Sequence, residues 1–456
     1  MMKKVSILLG LAVIFGGIVY YYNNYYFNAE KIIENSILKD RTFNSKVKEV
    51  NEQDGKIKAY LMTNKSVPLV AMNFSFKKAG SAYEPKDGVA LLTESLIADG
   101  AGKYDRKTLR NLMKEKGIKL SVNSDKDCMR FSFSYVKEFE SDAIEVLKAV
   151  LYEPHLKKDD INLVKAQIKV ARERLKEDPQ NELDDLVRKE FYKNHVYGKD
   201  LYPSDEKIDD LNSDDIRKYM KDYFAKDVLS VGVAGFMDKE ELKQILSDIF
   251  GGLNDKTVSV DLDDFEPDYG SDVVYRKSQY SKQSFAIHIG KGVKRLDEDF
   301  YPFYVADFVL GGSGLNSRLN KKIREEKGLT YGIYSYLTDG SLGGFWNIAY
   351  SATPENAEKI EAILKDELEH FYENGITVDE LNLAKSSLIS SFNLRFASLF
   401  NIALQLNLML EQNLGRDFLE KRQDMIKNIK LVDVNRVIKD KFPKFRRIFV
   451  VKGLNL

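Results

Sequence analysis

The chain has 456 residues, too long for one ordinary domain and long enough for two or three, each able to bury its own core. Lys plus Arg equal Asp plus Glu at 70 each, and this balance excludes the whole-chain field that would favour nucleic acid or an acidic partner. The single cysteine, Cys128, excludes an internal disulfide and reads as a small buried hydrophobe.

Lys3 and Lys4 precede an uncharged run from Val5 to Tyr22. At about 1.5 Å per residue it spans roughly 27 Å, close to the ~30 Å hydrocarbon core of a bilayer. Tyr20, Tyr21, Tyr22, Tyr25 and Tyr26 suit the headgroup interface. Residues 1–27 are expected to form a signal peptide or membrane anchor. Phe27 and Ala29 make a poor small-x-small cleavage pair, which favours the uncleaved anchor. Lysines ahead of the run predict an exported body, in the periplasm or an equivalent space, anchored to the inner membrane or secreted after cleavage. A polar connector, residues 28–46, follows.

Leu69–Phe76 combines an apolar entry with the alternation of Met72, Phe74 and Phe76, a strand signature. Gly88–Leu96, GVALLTESL, has the frame of a short helix. From Asp159 onward, Ile161, Val164, Ile168, Ala171 and Leu175 recur at three- and four-residue steps, a helix with one face packed on a sheet. Asp159 or Asp160 is placed to cap its start and Pro179 lies just past its expected end. Gly251, Gly252 and the acidic stretch Asp261–Asp272 mark a join, with residues 255–272 as linker. FAIHIG, Phe285–Gly290, is the next strand and the counterpart of the first.

That correspondence extends along the chain at an offset of about 217 to 220 residues. DDINLVK (Asp159–Lys165) returns as DELNLAK (Asp379–Lys385), and DIRKYMKDYF (Asp215–Phe224) as DVNRVIKDKF (Asp433–Phe442). An apolar strand ending in Gly235 or Gly453 follows each copy of the latter, and Leu147-Lys148 returns as Leu364-Lys365. Matches in the same order argue for duplication, with homologous mixed α/β halves at 47–254 and 273–456.

The segment Ser66–Gly100 resembles the opening of the insulinase/pitrilysin family of inverted-motif zinc peptidases. That family carries H-x-x-E-H there, two His holding zinc and the Glu acting as general base. Leu91, Leu92, Thr93, Glu94 and Ser95 occupy those positions, so only Glu94 survives from a degenerate zinc motif. His155, His195, His288 and His370 are too far apart in sequence to replace a local chelating pair. The family's third ligand falls among Ala171, Arg172 and Glu173, and Glu173 is not assigned as one. No metal and no other cofactor is therefore expected on this chain. The resemblance runs from about Val47 to Gly453 and is to the short two-domain branch, which includes mitochondrial processing peptidase. It implies an α/β (α+β sandwich) fold, two homologous domains each with a mainly antiparallel sheet packed against helices. Two such subunits would close around a peptide.

The second half carries LGGSGLNSRLNKKIREEKGLTYGIYSYL, Leu310–Leu337, whose family counterpart is a glycine-rich turn and a helix ending in R-E-x-x-G-L-x-Y. The resemblance implies that Arg324 and Tyr331 bind substrate backbone and stabilise the tetrahedral intermediate. A guanidinium and a phenol can both donate to the negative charge that develops on a scissile carbonyl. Gly328 also reads as a helix-ending residue, and no lysine follows Gly311, Gly312 and Gly314 at phosphate-loop spacing. His195, Tyr197 and Gly198 match the family's H-P-Y-G, which gives His195 a structural role. In heteromeric members of the resembled family one subunit carries the zinc helix and the other the arginine and tyrosine, so the resemblance implies a non-zinc subunit acting in trans with a homologous H-x-x-E-H subunit that holds the zinc. The expected substrate is a peptide or unfolded protein, and strands near Phe74 and Phe285 are candidates for backbone pairing with substrate or partner. The alternative is a non-catalytic scaffold or peptide-binding protein like the core proteins of a respiratory complex.

Overall fold

The computed structural model describes residues 46–454 except 201, 260, 271 and 341. The expected anchor, 1–27, lies outside the described residues, as does the connector apart from residue 46. Among the described residues, no helix is long and apolar enough to cross a membrane.

The first half runs β1 (Lys48–Asn51), β2 (Lys58–Thr63), β3 (Leu69–Lys77), α1 (Val89–Leu96), α2 (Arg106–Glu115), β4 (Lys119–Ser124) and β5 (Cys128–Val136). It continues with α3 (Glu140–Tyr152), α4 (Lys158–Lys176), α5 (Pro179–Glu190), α6 (Asp205–Asp210), α7 (Ser213–Tyr223), β6 (Leu229–Gly235) and α8 (Lys239–Phe250). The second half has β7 (Val273–Lys277), β8 (Ser284–Lys291), α9 (Phe300–Asp307), β9 (Ile333–Gly340) and β10 (Gly343–Ala352). After these come α10 (Pro354–Asn374), α11 (Val378–Leu394), α12 (Leu399–Glu411), α13 (Phe418–Lys427), α14 (Leu431–Asp440) and β11 (Arg446–Lys452).

The strands form two sheets, ordered β1-β2-β6-β3-β5-β4 and β7-β11-β8-β10-β9. Each is antiparallel except for one parallel pair, β2 with β6 and β7 with β11. Setting β3 on β8 and β5 on β10 maps the second order onto the first, with β1 as the extra edge. The mixed α/β class and the two helix-covered sheets agree with the expectation.

Beside each sheet the helices of its own half supply a core. The opposite faces are covered by exchange. Helix α12 of the second half lays Ile402, Ala403, Leu406 and Met409 on Tyr60, Met62, Ala71 and Ala234 of the first sheet. Helix α5 of the first half lays Leu183 and Leu186 on Phe285, Ile289, Phe449 and Val451 of the second. This double cover explains why β3 is buried from Val70 to Phe76 and β6 along its whole length.

Polar groups fix the seat of α12. Glu411 accepts from Arg130 Nε and Nη2 at 3.1 and 2.9 Å and from Ser75 Oγ at 2.6 Å. The Asn407 amide donates to Asn73 Oδ1 and Ser75 Oγ at 3.1 and 3.0 Å. On the other sheet, Arg276 of β7 holds Asp185 of α5 at 2.8 Å.

Two local expectations need correction and one is extended. Helix α4 starts at Lys158 with Lys157 at its cap, so Asp159 and Asp160 lie in the first turn, where they complement the helix dipole without capping. Pro179 lies just past the end of α4 at Lys176, as expected. It opens α5, capped by Asp178 bonding to Gln180 N, because proline suits a first-turn position with no amide to satisfy. Phe74 and Phe285 sit on β3 and β8, each flanked by strands on both sides. Their backbone hydrogen bonds are taken, and pairing with a peptide is open only to edge strands such as β4 and β9.

At Gly232 of β6 an added Cβ would overlap the Ala403 carbonyl oxygen and the Asn407 amide nitrogen of α12. Gly232→Ala should therefore lift α12 from the sheet and cost about 1 to 3 kcal/mol, read as a lower denaturation midpoint. An unchanged midpoint would show that α12 does not seat there.

Candidate functional site

Helix α1 is preceded at its cap by Gly88, whose φ of 92° puts it in the left-handed region. Glu84, buried, accepts from Gly88 N at 2.8 Å and Ala90 N at 2.9 Å, filling the helix's amino end with a carboxylate. Burial pushes this carboxyl up to about 7, against the pull of the two amides and of Lys199.

The family's metal positions lie on this helix and are put to other uses. The Leu91 side chain packs against the apolar core. Ser95 is exposed and its hydroxyl donates to Leu91 O at 2.9 Å. Glu94 accepts from Ser124 N and Ser124 Oγ at 2.7 and 2.6 Å, binding α1 to the end of β4. Glu173 is ion-paired with Lys176 at 2.8 Å on the surface of α4. Among the described residues no group of three His, Cys, Asp or Glu is gathered to hold a metal. An alkyl chain and a committed hydroxyl do not fit zinc.

The histidines are dispersed. His155 Nε2 lies 2.8 Å from Gly102 O, His288 Nε2 3.0 Å from Glu361, and His370 beside Asn374. His195 accepts from Tyr197 N at 3.2 Å and faces Asp263 O at 3.3 Å, in an aromatic cluster with Phe265.

Arg324 and Tyr331 flank one turn. Residues Asn320–Glu326 wind as a π-helix, a form that recurs at functional sites. It ends where Gly328, φ +63°, lets its own amide reach Arg324 O at 3.1 Å and the Leu329 amide reach Ile323 O at 3.1 Å. The helix-ending reading of Gly328 is thus seen. The frame around the turn is tied down. Fully buried Asn320 donates to Ile333 O at 2.6 Å and Gly314 O at 3.0 Å, Thr330 Oγ1 donates to Ser351 O at 2.7 Å, and Arg318 grips Glu380 through two 2.6 Å bonds.

Within that frame the two side chains are unengaged. Arg324 is half-buried with no hydrogen bond or ion pair among the described residues, and Tyr331 is 82% exposed. No hydrogen bond joins them to Glu94, on the other half. The turn leads directly into edge strand β9. What the sequence did not reveal is the support beneath. Asp307, fully buried, accepts from Trp346 Nε1 at 2.7 Å and from Ser335 Oγ of β9, and burial pushes its carboxyl up to about 6. A Cβ at Gly311 would overlap Ser335, so the glycine-rich turn serves close packing. The only signal for Asp307 was an acidic residue inside an apolar run.

Two family models match the chain: "Insulinase (Peptidase family M16)" over residues 63–204 and "Peptidase M16 inactive domain" over residues 210–388. Among curated relatives, the "Uncharacterized zinc protease YmxG" of Bacillus subtilis is 25% identical over 86% of this chain and 94% of its own length. The "Non-peptidase homolog YmxG" of Helicobacter pylori is 24% identical over 76% and 80%. Human mitochondrial-processing peptidase subunit alpha is 24% identical over 79% and 73%. Among solved structures, a peptidase M16 inactive domain from Pseudomonas fluorescens superposes with TM-score 0.82 at 21% identity, over 90% of this chain and 98% of that one. A protease from Helicobacter pylori gives TM-score 0.78 at 17% identity, over 90% and 100%. At these identities the structures speak for the fold alone.

Two predictions follow from the geometry. Glu94→Ala strands the two Ser124 donors and should cost about 1 to 3 kcal/mol of stability, with chelators leaving the melting temperature of the wild-type protein unchanged. A chelator-induced drop in melting temperature would contradict the loss of the zinc site. Glu84 and Asp307 hold protons to higher pH in the fold than in the unfolded chain, whose values are 4.5 and 3.8. Their stabilising contribution is complete below those unfolded values and is lost as pH rises through about 6 for Asp307 and about 7 for Glu84. Melting temperature should fall over that window, and less steeply in Glu84→Gln.

Proposed function

Because the chain belongs to the insulinase (M16) peptidase family and lacks its zinc-binding residues, we propose that it is the non-zinc subunit of a heteromeric peptidase. Its part is to position peptide and stabilise the transition state in trans. The partner is a homologous subunit with H-x-x-E-H intact, which supplies zinc and its activated water. The carrying observation is the contrast at the 324–331 turn, where a rigid frame presents a guanidinium and a phenol that the fold itself does not use. Hydrogen-bond donors held ready in this way suit the oxyanion of a tetrahedral intermediate, since they need no reorganisation when charge develops. Edge strand β9 adjoins them and offers backbone pairing to an extended peptide.

The relatives support this division of labour. One is named a non-peptidase homologue and another the alpha subunit of a processing peptidase, a protein of more than one kind of chain by its name. The apolar run at Val5–Tyr22 suggests that the complex works in an exported space, tethered to the membrane.

The test is reconstitution with an H-x-x-E-H homologue. The isolated chain should not cleave peptides, and the pair should. Arg324→Ala should lower kcat of the pair about 10²- to 10³-fold with little change in KM, and Tyr331→Phe should lower it less. Unaltered turnover in Arg324→Ala would remove the catalytic role, and a pair that binds peptide without cutting it would make the chain a scaffold.

A further inference from the structure

Arg422 of α13 is a guanidinium buried without an anion. It is 6% exposed, its Nη1 donates to Leu388 O of α11 at 3.3 Å, and its plane lies 3.8 Å over the Phe392 ring. Its other donors have no protein partner among the described residues, yet they are not sealed from solvent and keep contact with it through the small opening left to the side chain. A buried charge left in this condition is costly, and structures ordinarily supply a carboxylate.

Here the neighbours add to the positive charge. Arg395, exposed at the end of α11, leans over the same Phe392 ring at 5.8 Å. Arg295, in the loop between β8 and α9, stacks on Phe418 at 5.2 Å, one helical turn before Arg422 on α13, and on Phe300 at 4.2 Å. Its Nη2 donates to the Tyr301 hydroxyl at 3.4 Å. Among the described residues none of the three arginines has a carboxylate within ion-pair distance. Burial, with Arg395 and Arg295 adding to it, pulls Arg422 down to about 10, while Tyr304 and Tyr301 pull the other way.

Three guanidiniums held on the faces of Phe300, Phe392 and Phe418, close enough to act on one another and with no carboxylate among them, have the chemistry of an oxyanion receptor. We propose that Arg295, Arg395 and Arg422 form a binding site for a multiply charged oxyanion group, a phosphate monoester or a dicarboxylate, seated between α11, α13 and the loop before α9. Planar forks suit both groups bidentately, and the rings leave the guanidinium edges free to donate. The site is built from residues that the 324–331 turn does not involve, so it stands or falls apart from the peptidase reading.

The experiment is calorimetric titration of the full chain with inorganic phosphate and, separately, with succinate, at constant ionic strength set with chloride. Saturable binding of at least one is expected, with a rise in melting temperature. Arg395→Gln, which changes only an exposed side chain, should bind about tenfold more weakly and melt at the wild-type temperature in the absence of the anion. Arg422→Met should abolish binding. Without the anion it should melt at or above the wild-type temperature, since a buried uncompensated charge has been removed. Phosphate preferred over succinate identifies the monoester, and the reverse the dicarboxylate. The proposal is overturned if neither anion saturates, or if both variants respond to them as the wild type does.

Discussion

The structure depends on the exchange of two helices between its halves. A sheet in this fold has helices of its own half on one face only, and the other face of each sheet is apolar enough to need a cover. Helix α12 covers one and α5 the other, so neither half buries its sheet alone. Seating α12 uses the glycine at 232, against Ala403 and Asn407, and an ion pair from Glu411 to Arg130 at 2.9 Å. The duplicated halves are therefore one cooperative body, and the turn carrying Arg324 is fixed relative to α1 by packing that spans both.

This rigidity bears on the division between frame and tips at the 324–331 turn. Asn320, Thr330, Arg318 and Asp307 spend their polar atoms on the fold. Arg324 and Tyr331 spend none. Leaving a half-buried guanidinium unsatisfied forgoes stability that a neighbouring carboxylate would have supplied. The glutamates next to Arg324, at 325 and 326, are both exposed and make no such pair. Donors kept free at some cost are what the proposed role at developing charge would call for.

Much of this was legible in the residues, and the limits are physical. Alternation in Leu69–Phe76 and the 217 to 220 residue offset follow from local periodicity, and the two sheets confirm the paired strands and helices they imply. Periodicity says that a helix has a buried face without saying against which sheet, so the exchange of α5 and α12 was invisible. It also cannot tell a central strand from an edge, which misplaced the peptide-pairing role at Phe74 and Phe285. Pro179 reads as lying past the end of one helix, which holds, while its place in the first turn of the next goes unread because proline suits both positions. Arg422 sits in the sequence KRQD, which has the look of a solvated helix face. Its lack of a counter-ion exists only in three dimensions.

The survival of Glu94 beside Leu91 and Ser95 invites a catalytic explanation, and the second half supplies a simpler one. In the first half, a carboxylate on the helix after the central strand accepts from Ser124 on edge strand β4. In the second, Asp307 on the corresponding helix α9 accepts from Ser335 on β9, the strand that the sheet orders set opposite β4. Both halves thus fasten helix to edge strand with a carboxylate and a serine, and the second has no metal motif in its sequence. A fastening that works without zinc in one copy needs no zinc in the other. Where the resembled family carries its imidazoles, Leu91 makes a core contact and Ser95 presents a solvated hydroxyl, while Glu94 has its own partner in Ser124. The fold contacts of Leu91, Glu94 and Ser95 are therefore complete on one helix without a metal.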